Sequence, residues 1–127
     1  MRINPEDPAI ILKVEIFGEI ETRIIDMALD TGSTYSIIPW NIAEGLGYGP
    51  AVSRRKITLI TASSVEEAPL IVVRAIKALG MEARNVDVVC HDLPLGSRVE
   101  GLLGLSFLKN FNMNLYFKQR GIELIDP

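Results

Sequence analysis

The chain has one cysteine, Cys90, so it can form no disulfide within itself. It has one histidine, His91, and these two neighbours fall short of a metal-ligand set. Neither sign of charge dominates. Lys and Arg number 13 against 16 Asp and Glu, a formal net charge of −3. That balance gives no basic surface for nucleic acid and none for an anionic membrane. No apolar run approaches the length of a membrane span. Residues 1–8, Met-Arg-Ile-Asn-Pro-Glu-Asp-Pro, lack the apolar core of a signal peptide. There is no linker, low-complexity tract or internal repeat. These absences together favour a reducing, intracellular setting, the cytoplasm.

The apolar content is what the chain has in quantity. At 127 residues and 48% hydrophobic, it is sized for one domain with a core of its own and is too apolar to be disordered. The apolar residues fall mostly in short runs. In residues 10–17, Leu12, Val14 and Ile16 share one face, with Lys13 and Glu15 on the other, the period of a half-buried strand. Further strands are expected at 22–29, 35–38, 56–62, 70–79 and 86–90. Residues 40–46 read as a short helix ended by Gly47. Residues 63–69 and 92–98 read as loops, the second containing Pro94 and Gly96. Many short strands and few helices predict an all-β, barrel-like domain, residues 1–127.

Within that pattern one tetrad stands apart, Asp30-Thr31-Gly32-Ser33. It lies between the apolar runs 24–29 and 35–39, so a carboxylate sits at a sharp turn between two buried strands. Gly32 lets the backbone approach closely, and its amide can donate to the carboxylate. Thr31 and Ser33 place hydroxyls beside the acid, and Ser33 can donate to the outer carboxylate oxygen. The plain alternative is an Asx-type turn whose Asp bonds only its own loop amides. A second element, Gly101-Leu102-Leu103-Gly104-Leu105-Ser106-Phe107-Leu108, follows much later. Leu102-Leu103-Gly104 would pack behind the turn as scaffold.

These two elements, in this order, resemble the retroviral-type (retropepsin-like) aspartic proteases. That family carries Asp-Thr/Ser-Gly-Ala/Ser after an apolar strand and, far downstream, two hydrophobic residues and a glycine leading into a short helix, here residues 106–110. Val14-Glu15-Ile16-Phe17-Gly18 is similar to its first hairpin, and residues 112–117 with 121–125 to a closing hairpin. The resemblance covers most of the chain from Ile10 onward. It implies a closed β-barrel with one or two short helices, forming one lobe of a twofold-symmetric aspartic protease. Asp30, Thr31 and Gly32 fall on the catalytic positions. By the same likeness the Thr31 hydroxyl bonds across a dimer and ties two active turns together.

The chemistry of such enzymes needs two carboxyls that share one proton, one to activate water and one to protonate the carbonyl oxygen. This chain has no second Asp-Thr/Ser-Gly: Asp7, Asp26, Asp87, Asp92 and Asp126 all lack the continuation. The second carboxylate must then come from another copy, and a C2 homodimer would pair Asp30 with Asp30. The substrate implied is a peptide or unfolded protein, and no cofactor is needed. Thr61-Ala62-Ser63-Ser64-Val65 lies where the family has its flap, a hairpin that closes over substrate. Ala62, Ser63 and Ser64, with Ser33, are the expected substrate contacts. Family flaps carry glycine at or near the tip and this one has none. The alternatives are a plain surface loop and, for the whole protein, a non-catalytic dimeric domain for peptide binding or assembly. Cys90 and His91 are not a nucleophile pair, because adjacent strand residues point to opposite faces. Arg54-Arg55-Lys56 reads as a solvated strand start. Trp40 reads as an anchor of the short helix, or as lining a subsite.

Overall fold

A computed structural model describes residues 9–60 and 62–127. The segment 1–8 and Thr61, first residue of the expected flap loop, lie outside the described residues. The strands are β1 Ile11–Phe17, β2 Thr22–Leu29, β3 Ser36–Ile38, β4 Lys56–Ile60, β5 Val65–Ala78, β6 Met81–Cys90, β7 Gly101–Leu103, β8 Asn112–Tyr116 and β9 Gly121–Ile125. Two short helices, α1 Trp40–Gly45 and α2 Leu105–Leu108, and a 3-10 turn Pro50–Val52 interrupt them.

Alternation sets the faces. Leu12, Val14 and Ile16 of β1 are fully buried, and Ile25 and Met27 of β2 join them. Strands pair in the order β1-β2-β7-β3-β6-β5-β4, and β5 also pairs with β1, from Val14↔Ala78 to Phe17↔Ala75. That last pairing closes six strands into a barrel, which removes the exposed edges an open sheet would carry. The expected all-β closed barrel with two short helices is therefore observed. Phe107, Leu103, Ile38, Ile76 and Val88 fill its interior with the β1 and β2 residues. β8 and β9 form a separate two-stranded sheet whose Ile122 and Leu124 pack onto the same core.

Two expected boundaries differ by more than two residues. The loop expected at 63–69 is strand from Val65 onward, because Val65 to Pro69 pair with Ile60 to Lys56. This β4–β5 hairpin extends beyond the barrel, and its first three β5 residues are exposed. Burial therefore imposes no alternation there. β6 starts at Met81 rather than at residue 86, its first residues alternating with charged and polar ones. It turns back from β5 through Leu79 and Gly80, both with positive φ, in a two-residue hairpin loop of the kind that matches strand twist.

The β5–β6 ladder lacks one pair between Val73↔Val86 and Ala75↔Arg84, where Asn85 takes φ 54°. The Arg74 N–H is met instead by the Tyr48 hydroxyl at 2.9 Å, which itself donates to Phe17 O at 2.6 Å. Burial of that phenol is why Tyr48 titrates above its ordinary value, and its contact with Arg74 works the other way. Gly47, at φ 96°, ends α1 as the sequence predicts, its N–H bonding Glu44 O at 3.0 Å.

Candidate active site

Asp30 is the first residue after β2, and the chain turns through residues 30–35 into β3. β7 runs between those two strands. It is parallel to β2 (Leu29↔Leu103) and antiparallel to β3 (Ile37↔Leu102). The turn is held from behind by β7 and the start of α2. Asp30 N–H donates to Leu103 O at 2.9 Å, and Leu105 N–H donates to Ser33 O at 2.8 Å. Such bonds fix the backbone and leave the carboxyl to project from it.

Within the turn, Gly32 N–H donates to Asp30 Oδ1 at 3.0 Å, as expected of that amide. Asp30 is half-buried, while Thr31 and Gly32 are exposed. Ser33 departs from its expected role toward the carboxylate. Its Oγ donates its one proton to Tyr35 O at 2.6 Å, a tight turn bond that the short 33–35 spacing makes available.

The second element fits closely behind. A Cβ on Gly104 would stand 2.4 Å from Tyr35 O and 2.7 Å from Ser33 O. A Cβ on Gly101 would stand 2.3 Å from Ile37 O. Both glycines are there because neighbouring backbone occupies the space of a side chain. Two serines the sequence reading passed over complete the packing. Ser36 is fully buried and Ser106 nearly so. Ser36 N–H donates to Ser106 Oγ at 2.8 Å, Gly104 N–H donates to Ser36 Oγ at 3.0 Å, and Ser106 Oγ donates to Ser36 Oγ at 3.1 Å. The signal for them was a hydroxyl at a core position of each apolar run, which needs a partner when buried.

In front of the turn lies a cleft of about 420 Å³, bounded by Gly32 to Tyr35, Ile37, the β4 residues Ile57, Thr58 and Leu59, and Val89. Its apolar wall is a small cluster in which Ala68, Leu70 and Val89 carry Tyr35, Ile37, Ile57 and Leu59. The β4–β5 hairpin thus forms one side of the cleft and the Asp30 turn the other. Ala62, Ser63 and Ser64 are exposed at the hairpin's end, beyond the pair Ile60↔Val65, and none of them lines this cleft.

The other candidates separate as strand geometry requires. Cys90 points into the core while His91 faces out, its Nε2 3.6 Å from Glu66 Oε2. Burial, with Glu44 adding to it, pushes the Cys90 thiol up to about 12, so the thiolate is scarce at any ordinary pH. Native Cys90 is expected to resist iodoacetamide at pH 8 for hours and to react within minutes once unfolded. Mass spectrometry of quenched samples checks this, and rapid native labelling would contradict the buried placement. Trp40 is half-buried against the core, and its N–H is capped by Asp92 Oδ1 at 3.0 Å. It also lines a shallow groove with residues 92–97. Arg54 and Lys56 are exposed, and Arg55 reaches Asp87 at 3.5 Å. No helix among the described residues is long and apolar enough to cross a membrane.

Comparison with known proteins follows the same lines. No curated protein matches the chain. Among solved structures, a retropepsin-like aspartic protease from Rickettsia conorii superposes with a TM-score of 0.75 at 21% identity, covering 98% of this chain and 88% of that one. At that identity the likeness establishes the fold. The sequence pattern of the family described as "gag-polyprotein putative aspartyl protease" matches residues 16–110, which contain the Asp30 turn, β7 and α2. With both its acid turn and the glycine-bearing segment behind it inside that match, the chain belongs to the retropepsin-like aspartic protease family.

Proposed function

We propose that the protein is a homodimeric aspartic endopeptidase whose dyad takes one Asp30 from each copy. The observation that carries this is the Asp30 turn itself. It holds a half-buried carboxyl with one oxygen already bonded to the Gly32 amide, and the chain contains that motif once. A lone carboxyl cannot be both acid and base in one step, so a second copy supplies the partner. Exposed Tyr116 and Phe117, at the β8–β9 hairpin, offer apolar surface for such a contact. Thr31 is exposed beside Asp30, which leaves its hydroxyl accessible for a bond across the dimer in this reading.

In this reading an extended peptide lies between the two copies, with a side chain in the cleft walled by Tyr35, Ile37, Ile57 and Leu59. The β4–β5 hairpin serves as the flap, and the amides of Ala62, Ser63 and Ser64 meet the substrate on closure. One ionised Asp30 takes a proton from a water as its oxygen bonds to the scissile carbonyl carbon. The protonated Asp30 of the other copy gives its proton to the carbonyl oxygen. As the tetrahedral species collapses, the first Asp30 passes the water's proton to the leaving nitrogen, the second takes back a hydroxyl proton, and the C–N bond breaks. The scarcity of cysteine suits action in a reducing compartment, the cytoplasm.

Hydrolysis of unfolded casein across pH tests the reading. The expected profile is a bell with its maximum below neutrality, because one proton loss creates the singly ionised dyad and the next destroys it. Those two steps belong to the pair and not to either residue. A rate still rising through pH 9 would refute a carboxylate dyad. Peptide binding with no cleavage at any pH would assign the chain to the non-catalytic alternative.

A further inference from the structure

We infer that Ser36 and Ser106 are positioning residues, a buried clasp that sets where the Asp30 carboxyl stands; the inference rests on the proposed catalytic reading of Asp30. The turn at 30–35 is anchored at its start by Asp30 N–H to Leu103 O and in its middle by Leu105 N–H to Ser33 O. Its far end has only one ladder position against β7, Ile37↔Leu102. The serines supply what the ladder leaves out. Ser106 Oγ receives the Ser36 N–H, and Ser36 Oγ receives the Gly104 N–H and the Ser106 hydroxyl, at 2.8, 3.0 and 3.1 Å. Each side chain therefore satisfies a buried amide on the opposite segment.

The arrangement is reciprocal, and it spans 70 residues of sequence. Removing either hydroxyl leaves a buried N–H without an acceptor, so the two segments must part or admit water. Either response moves Ser36, and with it the turn that ends there. Two carboxyls share a proton only at close range, so a shift of the turn acts directly on the dyad. A misplacement of about 1 Å costs on the order of a hundredfold in rate.

The test uses Ser106→Ala, with Ser106→Cys as a variant that keeps nearly the native volume while weakening the bonds. Ser106→Thr keeps the hydroxyl. For Ser106→Ala, kcat per folded molecule is expected to fall about ten- to a hundredfold, with KM changed less than about twofold. The pH bell narrows, because carboxyls that stand further apart split their two titrations less. Ser106→Thr recovers most of kcat and the wild-type bell. Hydrogen exchange supplies a readout that needs no activity: the amides of Asp30 and Leu105 lose protection while those of β1 and β5 keep theirs. A purely structural role would lower activity only by the unfolded fraction, leave both pH limbs in place and loosen the barrel evenly. Any of those results overturns the inference. Local loosening in a protein whose wild type never cleaves casein would instead reject the protease reading and leave the clasp standing. If Ser106→Ala does not fold, the Cys variant decides between the same outcomes.

Discussion

Replacing Asp30 by Asn is expected to lower the hydrolysis of unfolded casein at least about a thousandfold, roughly 4 kcal/mol in the barrier, while leaving the fold in place. Asn keeps the shape and can still accept the Gly32 N–H, which Asp30 Oδ1 does now at 3.0 Å. It cannot take a proton from water or share one. Melting temperature and circular dichroism of the variant should match wild type. Hydrolysis retained in a well-folded Asp30→Asn protein would remove Asp30 from the chemistry. The same variant also tests the composite site. When equal amounts of wild-type and Asp30→Asn chains are unfolded and refolded together, random pairing leaves about a quarter of dimers with two native carboxyls. Activity per chain should fall to about a quarter of the wild-type value. Sites built within single chains would leave about half, and that result would end the dimeric reading.

The second large effect is expected at Gly104. Its added Cβ would meet two backbone oxygens, Tyr35 O at 2.4 Å and Ser33 O at 2.7 Å. Neither is the movable end of a side chain. Tyr35 O is itself bonded by Ser33 Oγ, and Ser33 O by Leu105 N–H. Gly104→Ala must therefore drive β7 and the Asp30 turn apart, at about 3 kcal/mol or more. For a chain of this length that corresponds to about 10–15 °C in Tm. Activity should drop further than the folded fraction accounts for, because the displaced segment carries Asp30. Gly121→Ala is the control: its Cβ meets only the Tyr116 side chain, at 3.7 and 3.8 Å, so its Tm should stay within a few degrees. Equal Tm for wild type and Gly104→Ala would show that the turn and β7 are not packed as described.

The sequence disclosed the acid and the segment that packs behind it, but not the two serines that join them. Asp30-Thr31-Gly32 is readable because its three residues are contiguous and flanked by apolar runs. β1 was expected at 10–17 and is Ile11–Phe17, because a barrel strand with one buried face prints its alternation directly. The β5 half of the β4–β5 hairpin printed no such pattern. Glu66, Glu67 and Pro69 read as loop, yet Glu66 and Glu67 lie on strand faces that meet solvent. Pro69 is tolerated opposite Lys56, at the last pair of that ladder. Ser36 and Ser106 escaped for a different reason. Each is ordinary in its own window, and only the meeting of two segments far apart in sequence gives them meaning. Ser33 shows the converse: the residue type suggested a bond to the carboxylate, and a nearer carbonyl at Tyr35 took it.

The closure of β5 onto β1 has a consequence for the order in which the molecule is made. Residues 14–17 wait for residues 75–78, and the Asp30 turn waits for residues 101–106, which reach it only after the rest of the barrel strands exist. Pairings this distant in sequence form late and slowly. During synthesis the Asp30 turn emerges early with nothing behind it, and it gains its brace only once the barrel sheet has its final strand. The acid is thus made well before the segment that braces it, so a copy cut short between the two carries the motif without its brace.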